Sequence, residues 1–161
     1  MKKKKWIVLI SSLISVYLIG FLGSLFVRVN KENFWNIIWK PTITPPDFVF
    51  SIVWNVLFLL IALSFYFTFT NLNKKQKSKK RNLILIFAIN LIFNLLWSIF
   101  FFGIKNPVWA YFDLVLLWFS IGIIFIETWK IKKLSSWLIL PYWLWVSFAG
   151  ILNWLIAFGM K

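Results

Sequence analysis

The chain has 161 residues, of which 61% are apolar, with a mean hydropathy of +0.84; soluble domains use roughly 45–50% apolar residues, so the sequence reads as an all-α integral membrane protein. Its formal charge of +14 does not point to nucleic acid, because the basic residues fall in short clusters between apolar runs rather than along one solvated face. Cys and His are both absent, which removes disulfides, thiol redox chemistry, Cys/His zinc sites, His general bases and His-ligated haem iron, and no metal site is expected.

A hydrocarbon core about 30 Å thick requires about 20 apolar residues per helix. Five stretches reach that length, at 6–27, 48–70, 83–102, 108–129 and 134–159, and predict a single domain over 1–161 built as a bundle of five transmembrane helices. The first, "WIVLISSLISVYLIGFLG" after "MKKKK", has the charged and apolar regions of a signal peptide. It is too long for one and no A-x-A-like site follows, so it is expected to remain as a span. Of the connections, only 28–47 is long enough to hold structure of its own. It includes most of "KPTITPPDFVF" (40–50), where three prolines and two charges precede an aromatic-rich run. Pro45 and Pro46 stand where the second span should begin, a position at which the missing N–H costs nothing. Residues ahead of a proline are pushed toward extended conformations, so Lys40 and 42–44 are expected to be non-helical. The product is a stiff strap, which must lie at the membrane interface or cover a protein cavity, since lipid would leave its backbone groups unpaired. A rigid surface turn and a lid satisfy that physics equally.

The second span carries Trp54 about two turns beyond the prolines, and "NLNKKQKSKKRN" (71–82) after it reads as a solvated charge run. In the third, Asn90, Asn94, Trp97 and Phe101 recur at spacings of four, three and four, one stripe of a helix. In the fourth, Asp113 follows Trp109 by four residues, one turn along the same face. An ionised Asp in mid-span costs about 2.5–3.5 kcal/mol on insertion scales, so such a residue faces a cavity or a partner. The fifth repeats the device with Trp145, Ala149 and Asn153, while Pro141 is expected to bend the helix and Ala149 with Gly150 to allow close approach. These stripes fit a largely apolar pocket with a few orienting polar groups. They fit equally a set of amides and a carboxylate bonded across helices. Trp6, Trp129 and Trp137, near span ends, read as interfacial anchors.

An odd number of spans places the termini on opposite sides. Thirteen of the eighteen basic residues (2–5, those in 74–81, and Lys130, Lys132 and Lys133) then share one face, and Arg28, Lys31, Lys40, Lys105 and Lys161 take the other. The positive-inside rule makes the N-terminus cytoplasmic, with anionic-lipid contact there, and puts the strap and C-terminus outside. The Lys, Ile, Asn and Phe bias is compatible with an AT-rich bacterial genome, hence a bacterial cytoplasmic membrane.

"KPTITPPDFVFSIVWNVLF" resembles the signature of the translocator-protein family, also called tryptophan-rich sensory proteins, in which K-P-x-W-x-P-P opens the second helix and a V-W pair follows. "GFLGSLF" (20–26) is similar to the family's small-residue patch in helix one and "FNLLWSIFFFG" (93–103) to its N-x-x-W…F-F-G stretch. "VWAYFDLVLL" (108–117) is similar to W-A-x-x-D, and "LPYWLWVSFAGILN" (140–153) to P-Y-x-x-W-x-x-F-A-x-x-L-N. One departure is Ile43, where the family usually has Trp in the strap. The resemblance implies a five-helix receptor for porphyrins and related tetrapyrroles that senses or moves them, often as a homodimer. Its partners would be tetrapyrroles and the lipid bilayer, not nucleic acid. It implies no required cofactor; protoporphyrin IX or haem is the ligand. Trp54, Asn94, Trp97, Trp109, Asp113, Trp145 and Ala149 match positions around the family's pocket, to which the stripes add Phe101 and Asn153, with Lys40, Pro41, Pro45 and Pro46 as a lid and Lys40 or Arg28 near the mouth to meet the ligand's carboxylates. Some bacterial relatives are associated with light-dependent breakdown of protoporphyrin, which would make Trp54 and Trp145 the oxidisable indoles. Likeness to animal members implies sterol, but the weak L/V-x₁₋₅-Y-x₁₋₅-K/R pattern fails in helix five, where no basic residue follows Tyr142 before Lys161. A plain transporter is disfavoured because neither an inverted two-half pattern nor a chain of ionisable residues crosses the spans.

Overall fold

The computed structural model describes residues 2–35, 38–73 and 75–159, with side chains from residue 5 to 30 in the first of these stretches. Of the basic residues sorted to the two faces, Lys74 and Lys161 lie outside the described residues, as do the side chains of Lys2, Lys3, Lys4 and Lys31. The described residues form five helices, each long and apolar enough to cross a membrane: α1 (Lys2–Trp35), α2 (Asp47–Asn71), α3 (Lys77–Ser98), α4 (Pro107–Trp129) and α5 (Lys133–Phe158). A π-helical turn, Ile99–Gly103, continues α3.

The helix limits follow from local chemistry. Pro46 precedes α2, whose first turn opens with the Val49 N–H donating to the Pro46 carbonyl at 3.0 Å. The carboxylate of Asp47 sits in that turn, where the helix dipole favours an anion. At α4, Pro107 takes the first helical position and the Asn106 side chain caps the end by accepting from the Trp109 N–H at 3.1 Å. Two limits correct the sequence reading. α1 does not stop with its apolar run at Val27 but continues to Trp35, because 28–35 contains no Pro or Gly to break it; only 38–46 is left as the strap. α3 starts inside the charge run, at Lys77, since Lys and Arg are good helix formers and can lay their stems along apolar surface. The Lys80 ammonium illustrates this, lying 4.9 Å from the centre of the Phe69 ring. α5 runs unbroken through Pro141.

Short connections make successive helices antiparallel. The strongest packing is α4 on α5, followed by α3 on α4, α1 on α2, α2 on α5 and α1 on α3, so the five close into a ring in the order α1, α2, α5, α4, α3. The α2–α3 and α4–α5 connections, with their basic residues, share one end; the strap and the α3–α4 turn share the other.

Lipid is as apolar as the core, so packing and interhelical hydrogen bonds decide this arrangement. Ile61, Ile121, Ile124 and Ile139 are fully buried toward the basic end. There Ser64 donates to the Ser135 carbonyl at 2.8 Å, tying α2 to α5, and the Thr128 and Ser136 hydroxyls meet at 2.8 Å. Trp118 Nε1 donates to Ser147 Oγ at 2.8 Å, joining α4 to α5. Gly122 admits the Trp143 ring, which an added Cβ would meet at 3.1 Å. The outer face of α4 is a stripe of exposed Trp109, Phe112, Leu116, Phe119, Ile123 and Ile126.

Candidate functional site

At the strap end the ring is not filled. A cavity of about 670 Å³ lies between α1, α2, α3 and α5, roofed by the strap through Thr44. Its wall is mainly aromatic: Phe50, Trp54 and Phe58 from α2, Trp97 from α3, and Phe101 and Phe102 from the π turn. The extra residue of a π turn shifts the following side chains around the helix axis. Here it brings Phe101 parallel to Trp97, with centroids 5.0 Å apart and planes 22° apart, and sets Phe102 edge-on to both. α1 contributes Gly20 and Gly23, which keep its backbone close to the cavity. At Gly20 an added Cβ would overlap the Phe58 ring, so glycine is required for that approach.

The polar groups are few and fixed. Asn153, 1% exposed, accepts from Trp97 Nε1 at 2.9 Å and donates through Nδ2 to the Pro107 carbonyl at 2.8 Å, holding the indole of α3 against α5 and the start of α4. Asn94 donates to the Tyr142 hydroxyl at 3.2 Å, which donates to Asn90 Oδ1 at 3.3 Å; Asn90 in turn donates to Ser120 Oγ at 2.7 Å. This chain, buried throughout, runs from the cavity wall at Asn94 across α5 and α3 to α4. Pocket and cross-helix bonding therefore coexist in the same residues.

Six of the predicted residues meet at the cavity: Trp54, Asn94, Trp97, Phe101, Ala149 and Asn153. Three do not line it. Trp109 is 61% exposed on the outer face of α4, whereas Asp113, one turn on, is 5% exposed and packed inside the ring. Positions four apart differ by 40° around a helix, and here the boundary between lipid face and core falls between them. Among the described residues α4 contributes nothing to the cavity wall. Trp145 stands behind the wall, edge-on to Phe50 with centroids 5.5 Å apart, its indole N–H buried without a hydrogen-bond partner.

In the strap, Pro41 is buried and its carbonyl accepts from the Thr44 N–H at 3.0 Å, while Pro46 is exposed. Lys40 Nζ lies 4.0 Å from Asp47 Oδ1, which fastens the strap to the first turn of α2. Lys40 is thus beside the cavity rather than in its wall; the cation that lines it is Arg28 of α1. The sequence reading missed Tyr17, Ser24, Asp47, Ser51, Asn55 and Leu152. A signal for three of them was present: Asp47, Ser51 and Asn55 recur every fourth residue at the start of an otherwise apolar helix.

The chain matches the TspO/MBR family over residues 12–158. It is 34% identical over 142 residues to the tryptophan-rich protein TspO of Chlorobaculum tepidum, covering 86% of each chain. It is 32% identical over 148 residues to the protein of that name in Archaeoglobus fulgidus, covering 92% of this chain and 94% of the other. The translocator protein of Bos taurus is 26% identical over 134 residues, covering 83% of this chain and 79% of its own. The chain belongs to the TspO/MBR family. As a TspO/MBR protein with five spanning helices it is a multi-pass membrane protein, and the matched region takes in every residue that lines the cavity.

Proposed function

We propose that this protein is a receptor for porphyrins and related tetrapyrroles, which it senses or carries in a bacterial cytoplasmic membrane, with its N-terminus cytoplasmic and its strap and C-terminus outside. The observation that carries this reading is the shape and chemistry of the cavity. Its 670 Å³ falls within the roughly 300–1,000 Å³ of small-molecule sites. Trp97 stacked on Phe101 presents a flat aromatic wall. A planar macrocycle suits such walls through offset and edge contacts. Arg28 supplies a cation for a propionate, and the buried Thr44 hydroxyl, which has no partner among the described residues, supplies a polar group at the roof. With no His in the chain, a bound haem would be held through its edge and face rather than by a His–iron bond. Homodimerisation is part of the proposal on the strength of the family.

Titration of the purified protein with protoporphyrin IX, followed by tryptophan quenching and the porphyrin absorption band, tests the reading. Saturable binding that weakens severalfold in Arg28→Gln and is blocked by Ala149→Phe is expected. Binding insensitive to both changes would place the porphyrin elsewhere.

A second reading, light-dependent porphyrin breakdown, is favoured by Trp54 standing in the wall itself. An excited porphyrin can oxidise an adjacent indole without a general base. Trp145, set behind Phe50, would follow only as a secondary donor. Trp54→Phe should then keep affinity within about tenfold, since a ring face remains, but suppress porphyrin loss under illumination. Equal photolysis by parent and variant would remove this reading.

A further inference from the structure

The two sides of the cavity differ. On the α3 and α5 side its wall is buried: Asn94, Phe101, Leu152 and Asn153 are all under 9% exposed. On the α1 and α2 side much of the lining is itself exposed, Phe21 at 60%, although Gly23 and Phe58 are buried. Ser24 and Arg28, four apart on α1, face Asp47, Ser51 and Asn55, four apart on α2, and all five both line the cavity and reach the outer surface of the bundle. Polar side chains on the outside of a spanning helix are costly, and a helix facing only lipid has no use for two such stripes. Two of them turn their donors onto their own helices, Ser24 Oγ to the Phe21 carbonyl at 2.7 Å and Asn55 Nδ2 to the Ser51 carbonyl at 2.8 Å. That makes the edges tolerable in contact with acyl chains.

The gap has defined ends. Toward the middle of the membrane, Tyr17 donates its hydroxyl to the Asn55 carbonyl at 3.0 Å and sets its ring edge-on to Phe58, 6.0 Å between centroids. The close approach of Gly20 to Phe58 completes that seal. At the strap end, Thr44 forms the roof. What is left open is a window in the side of the bundle at the level of Phe21 and Ser51.

We propose that this window is a lateral portal through which an amphiphile with a flat apolar body and an anionic edge passes between the bilayer and the cavity, its anion handed along Arg28 and its body passing Phe21 and Ser51. The tetrapyrrole reading fixes only the probe used in one of the two tests. The ligand is thus drawn from the membrane phase, and the strap need not open for entry.

The chain contains no Cys, so a single introduced thiol can be modified alone. In the first test, protein is reconstituted in vesicles of lipid with brominated acyl chains, and the Trp54 contribution is taken as the difference between parent and Trp54→Phe. Quenching of that contribution by the brominated chains is expected, and its loss by more than half once Ser51→Cys carries a bulky maleimide. In the second, protoporphyrin IX is supplied in vesicles: the adduct at Ser51→Cys should slow both association and release by about tenfold, whereas mere crowding of the cavity would speed release, and the same adduct at Ile123→Cys, on the lipid face of α4, changes neither. Absence of Trp54 quenching in the parent, as when a second copy covers the gap, overturns the portal. So do unaltered rates with a modified Ser51→Cys. If the parent binds no protoporphyrin IX, the tetrapyrrole reading fails on its own and the quenching test still decides the portal.

Discussion

Replacing Asn153 by Leu tests how the cavity wall is held. The change keeps the branching at Cγ, with somewhat bulkier methyls, and deletes two bonds, from Trp97 Nε1 at 2.9 Å and to the Pro107 carbonyl at 2.8 Å. Hydrogen bonds between membrane helices average about 0.6 kcal/mol and reach about 1.7, because helices separated in the bilayer keep their backbone bonds and find other partners. The Pro107 carbonyl belongs to the first turn of α4 and retains helical bonding, so its loss lies at the low end. Trp97 Nε1 is left at a largely apolar wall with nothing to replace Asn153, which puts that loss at the high end. The sum is about 1–2 kcal/mol of bundle stability. Reversible unfolding in mixed detergent micelles measures it. A cycle with Trp97→Phe, which removes the indole N–H and keeps a ring, isolates the bond itself, with an expected coupling of about 0.6–1.5 kcal/mol. The same variants should loosen protoporphyrin IX severalfold, since Trp97 is then free to leave its stack on Phe101. A coupling indistinguishable from zero would refute the reasoning: Asn153 would fill space and the wall would be set by packing alone.

The orientation is checked with single cysteines: Ser78→Cys, on the basic end, should label only after the membrane is made permeable, and Thr42→Cys, in the exposed part of the strap, should label from outside; the reverse pattern overturns the proposed topology. The strap's stiffness is checked by changing Pro41 and Pro45 together to Ala. Each proline removes about 0.4–1 kcal/mol of chain entropy where its geometry fits, so the double variant should release protoporphyrin IX up to about tenfold faster with unchanged helicity. An unaltered release rate would reduce the two prolines to a helix start.

Length and apolarity set out five helices in the sequence, and proline chemistry marked where α2 begins, because both are local: a span is recognised by its own run of residues. The spacing of Asn94, Trp97 and Phe101, and of Ala149 and Asn153, put each set on one face of its helix, and the packing of the helices turned both faces to one cavity. Trp109 and Asp113 show the limit. Their four-residue spacing left them 40° apart, and only the position of α4 in the ring, packed on α3 and α5 with its Trp109 stripe outward, decided that one meets lipid and the other the core. Periodicity gives the angle between residues on one helix but not the direction in which the helix faces. In a membrane the ambiguity is greater, because lipid and core are equally apolar and the lipid-facing stripe of α4 reads like a buried one. The share of the wall that belongs to α1, the side on which the cavity opens, and the hydrogen-bond chain from Asn94 through Tyr142 and Asn90 to Ser120 all require knowing which helices are neighbours. That is a property of the closed ring, and no single helix carries it.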